Sequence, residues 1–324
     1  MCSEGLRVGK VTRYCLLTND VETHSIWFNE LRDDTGERVL KEGMPILLEL
    51  YRKHGIQCTF FFTGYIAKKF PGIVRMVLPG GHEVGCHGLS HELQHGFDVM
   101  SLGEQCRHLE EAKGILENIS GLEVVSFRAP ALRVNAHTPV ALVRNGFKFD
   151  SSIASQRFDA FLSFGGRSKL RWIGAPRRAY RTKPDDLSRR GDGPIIEVPL
   201  SALLYPYVGT TLRMTPMFTR LVRSLLHAES GIHSKPVVFD IHPNEFLEEG
   251  EGTRTIARRV DGFVAHVLKD RIRGALKVRN LGRGAIPLYE RELEFFSGEG
   301  YKFRTVKDYC ESLDDMGVEL SLTA

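Results

Sequence analysis

The residues best equipped for chemistry in this chain are two histidines four positions apart, His87-Gly-Leu-Ser-His91, which directly follow the β-rich run His82–Cys86. A spacing of four puts both rings on one side of a helical turn, where they can share one metal ion. Such pairs also arise by chance, and His95 repeats the spacing one turn further from the strand. A second cluster, Thr18-Asn-Asp20-Val-Glu22, ends the first apolar run. In an extended segment, residues two apart point the same way. Both carboxylates can then face one centre, one completing a two-His, one-carboxylate metal face and the other taking a proton from water. Helix capping is the ordinary competing use of such acids.

Three further polar clusters also follow β-rich runs: Phe127-Arg128-Ala-Pro130, Asp150-Ser-Ser and Asp240-Ile-His242-Pro-Asn-Glu245. Arg128 is suited to orienting a carboxylate through charge-assisted hydrogen bonds. His242 is a candidate general acid because an imidazole titrates near neutrality. Singly these clusters are bland, but together they demand an architecture that gathers strand ends.

The elements supply it. Runs with strand character occur at Arg13–Thr18, Gln57–Phe62, His82–Cys86, Glu123–Phe127, Phe147–Asp150, Ile195–Leu200, Val237–Ile241 and Tyr301–Thr305. Between them Gly43–His54, Tyr65–Val77, Ser101–Ile119, Thr138–Asn145, Thr215–His227, Arg254–Leu268 and Leu288–Gly298 show helical spacing, several closed by Gly. Alternating strands and helices predict a parallel α/β fold, and about eight strands suggest a barrel whose carboxyl ends carry the site. The Cys58–Phe62 run is apolar throughout apart from Thr59, as expected of a strand buried on both faces. No repeat or low-complexity tract divides residues 1–324, so a single domain is expected, with one insertion at about 156–193 where periodicity fails.

Composition narrows the class. The 324 residues are 42% hydrophobic and 26% charged, as in an ordinary globular protein. The six cysteines are scattered without a C-x-x-C pair, which argues against a thiolate zinc site. A net charge of +4 is too mild to imply nucleic-acid binding. Between Arg157 and Arg190, however, ten basic residues face three acidic ones. That run is either a solvated loop or a site for a phosphate-bearing substrate or an anionic membrane surface. The first twenty residues lack the order of a signal peptide, so a cytoplasmic location is expected.

Taken together, these motifs resemble the polysaccharide deacetylase superfamily, carbohydrate esterase family four, from Arg13 to the pair at Tyr301–Ser312. His87 and His91 fit its H-x-x-x-H motif, Arg128-Ala-Pro130 its R-x-P motif, and His242 the His that ends its late strand. Val21 stands where the family usually has the second of two adjacent Asp residues, and the chain is similar to a subgroup with D-x-D or D-x-E. The resemblance implies a distorted (β/α) barrel of about seven or eight strands with one divalent metal, commonly zinc. It implies that Glu22, His87 and His91 hold the metal, Asp20 is the base, Arg128 holds Asp20, and His242 is the acid. A rival assignment makes Asp20 the ligand, and then no strong base remains, because Asn19 cannot accept a proton. Ala131 replaces the family's aromatic residue; its N–H would serve the oxyanion, and Asp150 fits the fourth motif loosely.

The implied reaction is hydrolysis of an N-acyl group, acetyl or formyl, from an amino sugar. With a cytoplasmic location and the basic run, the expected substrate is a nucleotide- or lipid-linked biosynthetic intermediate, with peripheral contact to an anionic membrane. The competing classes are a metal-independent amidohydrolase acting on a small nitrogenous metabolite and a non-catalytic sugar-binding barrel.

Overall fold

Four consecutive buried residues, Thr59–Phe62, form a central strand of the sheet, as expected of three successive phenylalanines that bury both faces. The structure is a computed structural model that describes residues 12–157, 172–233, 235–248 and 273–315. Its main sheet comprises β1 (Tyr14–Val21), β2 (Thr59–Phe62), β3 (Glu83–Cys86), β4 (Ser126–Phe127), β5 (Phe149–Asp150), β6 (Tyr180–Lys183), β7 (Asp186–Arg190), β8 (Ile196–Glu197), β9 (Val237–Asp240) and β10 (Lys302–Phe303). The spatial order is β9-β1-β2-β3-β4-β5-β8-β6-β7, with β10 also pairing to β1. Every pairing is parallel except those of β6 with β8 and with β7.

The sheet curls into a distorted barrel, and its closure is irregular. Beyond β8 the chain bridges Ala154 at Leu200 and then reaches β9, where Val208 bridges Asp240. There the Ser201 N–H donates to the Val238 carbonyl at 3.1 Å, and the Val238 N–H donates to Ser201 Oγ at 3.0 Å. A side-chain hydroxyl thus completes what a strand ladder would otherwise close. Inside the barrel the Phe61 ring needs space from its neighbour, and Gly85 provides it: a Cβ there would lie 2.6 Å from Phe61 Cδ1.

Helices α1 (Met44–His54), α2 (Gly64–Lys69), α3 (Leu102–Ser120), α4 (Thr138–Arg144), α5 (Gly209–Met214), α6 (Pro216–His233), α7 (Ala285–Gly298) and α8 (Val306–Asp315) accompany the strands. Ser101 caps α3 reciprocally with Glu104, and Gly121 ends it at φ 72°, a left-handed cap that costs a residue without Cβ little. The helix expected at Tyr65–Val77 breaks after Lys69 and resumes at Gly72–Arg75, because Pro71 has no N–H to carry it on. The helix expected at Arg254–Leu268 lies outside the described residues.

The insertion also departs from a plain loop. Its residues 158–171 are outside the described set, but 180–190 form the β6–β7 hairpin, turned at Pro184-Asp185. Tyr180 and Leu187 bury their side chains there, so the segment extends the sheet. Among the described residues, no helix is long and apolar enough to cross a membrane.

A helical lead-in, Asp33–Gly43, precedes α1, and Gly43 packs directly on the Pro243 carbonyl, where an added Cβ would lie 2.4 Å from the oxygen. Replacing Gly43 with Ala adds at most about 1 kcal/mol of helix propensity. The clash is with backbone that cannot swing away, and such overpacking costs about 1–3 kcal/mol. Gly43→Ala should therefore lower stability by roughly 1 kcal/mol net in chemical denaturation, and a stabilised variant would refute the contact.

Candidate active site

Alternation along β1 sorts its polar residues. Asn19 faces the helical layer, where it accepts from the Tyr51 hydroxyl at 2.7 Å. Thr18 and Asp20 face the other way, towards Arg128. Arg128 has no exposed surface and its guanidinium is fully engaged. One terminal nitrogen donates to Thr18 Oγ1 at 2.8 Å, Asp20 Oδ1 at 2.9 Å and Asp240 Oδ1 at 2.7 Å. Nε and the other terminal nitrogen donate to Ser151 O and Oγ at 2.9 and 2.8 Å, and the Phe61 ring lies beneath at 4.5 Å.

The histidine pair is not on a helix. His87 and His91 lie on an irregular loop, and Gly88 turns it at φ 68°. The Gly88 and Leu89 carbonyls accept from the Gly64 and Tyr65 N–H groups at 2.9 and 2.8 Å, which pins the loop to the start of α2. His87 and His91 still converge, with their Nε2 atoms 3.1 Å apart, and Glu22 Oε2 lies 2.7 Å from His91 Nε2. His87 Nδ1 sits 2.8 Å from the Arg128 carbonyl, which can only accept, so this nitrogen carries the proton and Nε2 keeps its lone pair. His95 turns away to Ser90 Oγ at 2.7 Å.

Glu22, His87 and His91 fit a metal by the chemistry of their donor atoms. One carboxylate oxygen and two imidazole nitrogens lie within 4.8 Å of one another. Donors about 2.0–2.2 Å from a tetrahedral zinc would stand roughly 3.3 Å apart. Glu22 Oε2 is buried and makes no geometrically sound hydrogen bond despite its closeness to His91. Burial holds the His87 imidazole down to about 4, so it is neutral and free to ligate at ordinary pH. Burial would raise Glu22, but His91 and His24 outweigh it and keep this carboxyl well below the usual carboxylate range.

A second group, Asp20, Asp240 and His242, adjoins the first. Burial alone would raise Asp20, yet His87, Arg128 and His242 more than offset it and hold it below the usual range. Burial and then the neighbouring Asp20 push Asp240 up to about 7. Burial would lower His242, but Asp240, a hydrogen bond to Glu245 and Asp20 prevail and raise it to about 10. His242 Nδ1 lies 3.3 Å from Glu245 and 3.8 Å from Asp240, and Nε2 lies 4.0 Å from Asp20. Glu245 is itself buried and ion-paired to Arg213.

The remaining expected residues fall differently. Asp150 is wholly buried behind the site, accepting from Ser152 Oγ at 2.6 Å and paired with Glu197, whose carboxyl burial pushes well up. Ser152 in turn accepts from the Ala129 N–H, so Asp150 braces the Arg128 segment and does not open on the cleft. Ala131 is exposed beyond that segment at φ 51°, and Leu132 follows at φ 55°. Two successive side-chain-bearing residues in the left-handed region store about 1–3 kcal/mol each, a cost that functional loops tolerate. Thr18, Ser151 and Glu245 stand in the sequence only as parts of the polar clusters, without roles of their own, and Arg213 stands in none. Glu245 had a signal, three positions from His242, whereas Arg213 had none.

The barrel brings the His pair and the buried carboxylates together, and comparison with known proteins shows what the chain resembles. Residues 31–149 match the family described as polysaccharide deacetylase. A peptidoglycan deacetylase of Helicobacter pylori is 29% identical over 119 residues, 37% of this chain and 40% of that protein. The chain therefore covers well under two thirds of that relative. Among solved structures, a probable polysaccharide deacetylase from Pseudomonas aeruginosa PAO1 superposes with a TM-score of 0.60 at 14% identity, over 94% of this chain and 92% of that one. An allantoinase superposes with a TM-score of 0.58 at 14% identity, over 94% and 91%. These two likenesses establish the fold alone.

Removing the Arg128 charge would strand buried Asp20 and Asp240 side by side. Arg128→Met should cost about 3–5 kcal/mol, as for other buried pairs broken on one side. Urea denaturation would measure it; a loss under 1 kcal/mol would mean that the network is not a structural keystone.

Proposed function

We propose that the protein is a metal-dependent hydrolase that removes an N-acyl group, acetyl in the first instance, from an amino sugar. The observation that carries this reading is the convergence of Glu22 with His87 and His91 beside the Asp20–His242 pair. A divalent metal, zinc by its preference for this donor set, would be held by Glu22, His87 and His91; when bound it polarises the amide carbonyl and acidifies water. Asp20, kept ionised and oriented by Arg128, takes the proton of the attacking water. His242, kept protonated by Asp240 and Glu245, gives a proton to the departing amine nitrogen, so the amide yields a carboxylic acid and a free amine. The relative's name, peptidoglycan deacetylase, supports the amino-sugar substrate. The D-x-E reading, with Asp20 as base and Glu22 as ligand, agrees with the pairing of Asp20 to Arg128 and of Glu22 to His91.

The phosphate-bearing carrier, lipid- or nucleotide-linked and suited to a cytoplasmic biosynthetic enzyme at an anionic membrane, rests on fewer residues than the sequence suggested. Arg177 is already engaged by Glu229, Gln156 Oε1 at 2.6 Å and the Ala202 carbonyl at 2.7 Å. A substrate phosphate would meet exposed Arg178 and half-buried Arg181 instead.

Asp20→Asn should retain bound metal and lose two or more orders of magnitude in turnover, while Glu22→Ala should lose the metal itself; metal analysis of both variants decides, and metal loss from Asp20→Asn would favour the rival assignment. The kcat/KM profile should fall at low pH as Asp20 protonates and His87 charges near 4, and fall again as pH rises through about 10, where His242 loses its proton. An alkaline limb that survives His242→Asn would remove His242 from the acid role. Replacing Arg178 and Arg181 with Ala should raise KM for a nucleotide- or lipid-linked sugar roughly tenfold or more and leave the free sugar unaffected; equal shifts would end the phosphate reading.

A further inference from the structure

Helix α6 carries two apolar stripes, one more than a helix packed on a barrel needs. Thr219, Val222 and Leu226 turn inward and are buried. At about 100° per residue, Met217, Leu221, Leu225, Ala228 and Ile232 line up along the opposite side with Phe218 at its edge. All six are exposed, Met217 at 83% and Ile232 at 74%. The stripe continues onto the Ala202–Pro206 hairpin, where the Tyr205 ring packs edge-on against Phe218 with centroids 5.0 Å apart, and neighbouring Leu204 is 63% exposed. Single exposed apolar residues are ordinary, but a helix apolar on opposite sides belongs between two packed surfaces. At these exposures the patch presents on the order of 700 Å² of apolar surface, above the roughly 300–600 Å² of the largest patch on a typical monomer. It calls for cover.

The order of the stripe says what fits it. Its exposed positions are symmetric about the midpoint between Ser224 and Leu225: Met217 and Ile232 are equidistant from that point, and so are Leu221 and Ala228. Two copies of α6 laid antiparallel across a two-fold axis set Met217 against the partner subunit's Ile232. They also set the large Leu221 against the small Ala228 of the partner subunit, with Leu225 near the axis. Such self-complementarity is what an isologous contact requires. The area fits as well, since a standard interface covers about 800 Å² on each partner. Charge speaks against a lipid surface: among the described residues of α6, Arg220 is the only exposed one that carries a charge, and anionic leaflets attract clustered cations. We propose that the exposed stripe of α6, with the tip of the Ala202–Pro206 hairpin, is a two-fold interface between copies of this chain. None of these residues belongs to the Glu22–His87–His91 site, so the interface stands independently of the deacylase reading.

Sedimentation velocity of the full-length protein over a concentration series tests the interface. Wild type should sediment as a dimer at micromolar concentration. Leu221→Glu puts a carboxylate in the middle of the contact and should weaken association about a hundredfold or more. Its urea midpoint should match wild type, because Leu221 is 55% exposed and outside the core of the monomer. Orientation is read by joining thiols with a short bis-maleimide, against the background that wild type gives through part-buried Cys106. Leu225→Cys, near the axis, should give a linked dimer. Met217→Cys should not, since its two copies lie roughly 22 Å apart along antiparallel helices. A wild type that stays monomeric up to roughly 100 µM, a Leu221→Glu variant that dimerises as tightly as wild type, or equal linking of Met217→Cys and Leu225→Cys would each overturn the proposal. A monomer that floats with vesicles of anionic phospholipid would assign the face to a lipid surface and likewise overturn the dimer. If Leu221→Glu failed to fold, the linking pattern of the two cysteine variants would still decide.

Discussion

The buried Arg128 guanidinium is the interaction on which the site depends. Asp20 and Asp240 come from neighbouring strands whose register pairs Thr18 with Asp240, so the fold forces two carboxylates together out of water. Left alone, two such groups cannot both ionise. Arg128 donates to both, and His242 adds positive charge near Asp20, so the pair separates into an anionic Asp20 and an Asp240 whose pKa is pushed up. Groups of one chemical type whose environments drive them apart can take different roles.

The same residue reaches the histidines through its main chain. The Arg128 carbonyl accepts from His87 Nδ1 and thereby fixes which nitrogen of that ring points at His91 and Glu22. The side chain thus orders the Asp20 carboxylate while the carbonyl orders the His87 imidazole. Asp150 and Ser152 brace this segment from behind through the Ala129 N–H. Its buried carboxyl supports the site without entering it.

Much of this was legible in the sequence, and the exceptions share a cause. Each expected strand is present within a few residues because β-rich runs such as Cys58–Phe62 and Val237–Ile241 bury both faces and carry a strong local signal. The His87–His91 spacing suggested a helical turn, yet the two rings converge from a loop whose shape is set by Gly88 and by bonds to α2. The β6–β7 hairpin was masked by its arginines, since an exposed edge strand needs few apolar residues. Arg213 was invisible because its partner Glu245 lies 32 positions away. The family match, residues 31–149, includes His87, His91 and Arg128 but neither Asp20 and Glu22 nor His242. The roles proposed for those three therefore rest on geometry and on the placement of polar clusters at strand ends.

Charge balance explains why a cation suits this geometry. Among the described residues, the site carboxylates Asp20 and Asp240 share one guanidinium and Glu245 has another. Glu22 is as deeply buried as they are, yet its ion-pair partner is an imidazole, His91, and its Oε2 lacks a sound hydrogen bond. A buried carboxylate without a full countercharge is costly unless something supplies it. A divalent cation held by Glu22, His87 and His91 would supply that charge, and His87 is kept neutral by its burial, ready to contribute a lone pair and not a competing proton. Asp20 gives Oδ1 to Arg128 while Oδ2 stands 3.6 Å from His87 Nε2, so one oxygen stays turned towards the cation position, as the proposed role of base needs.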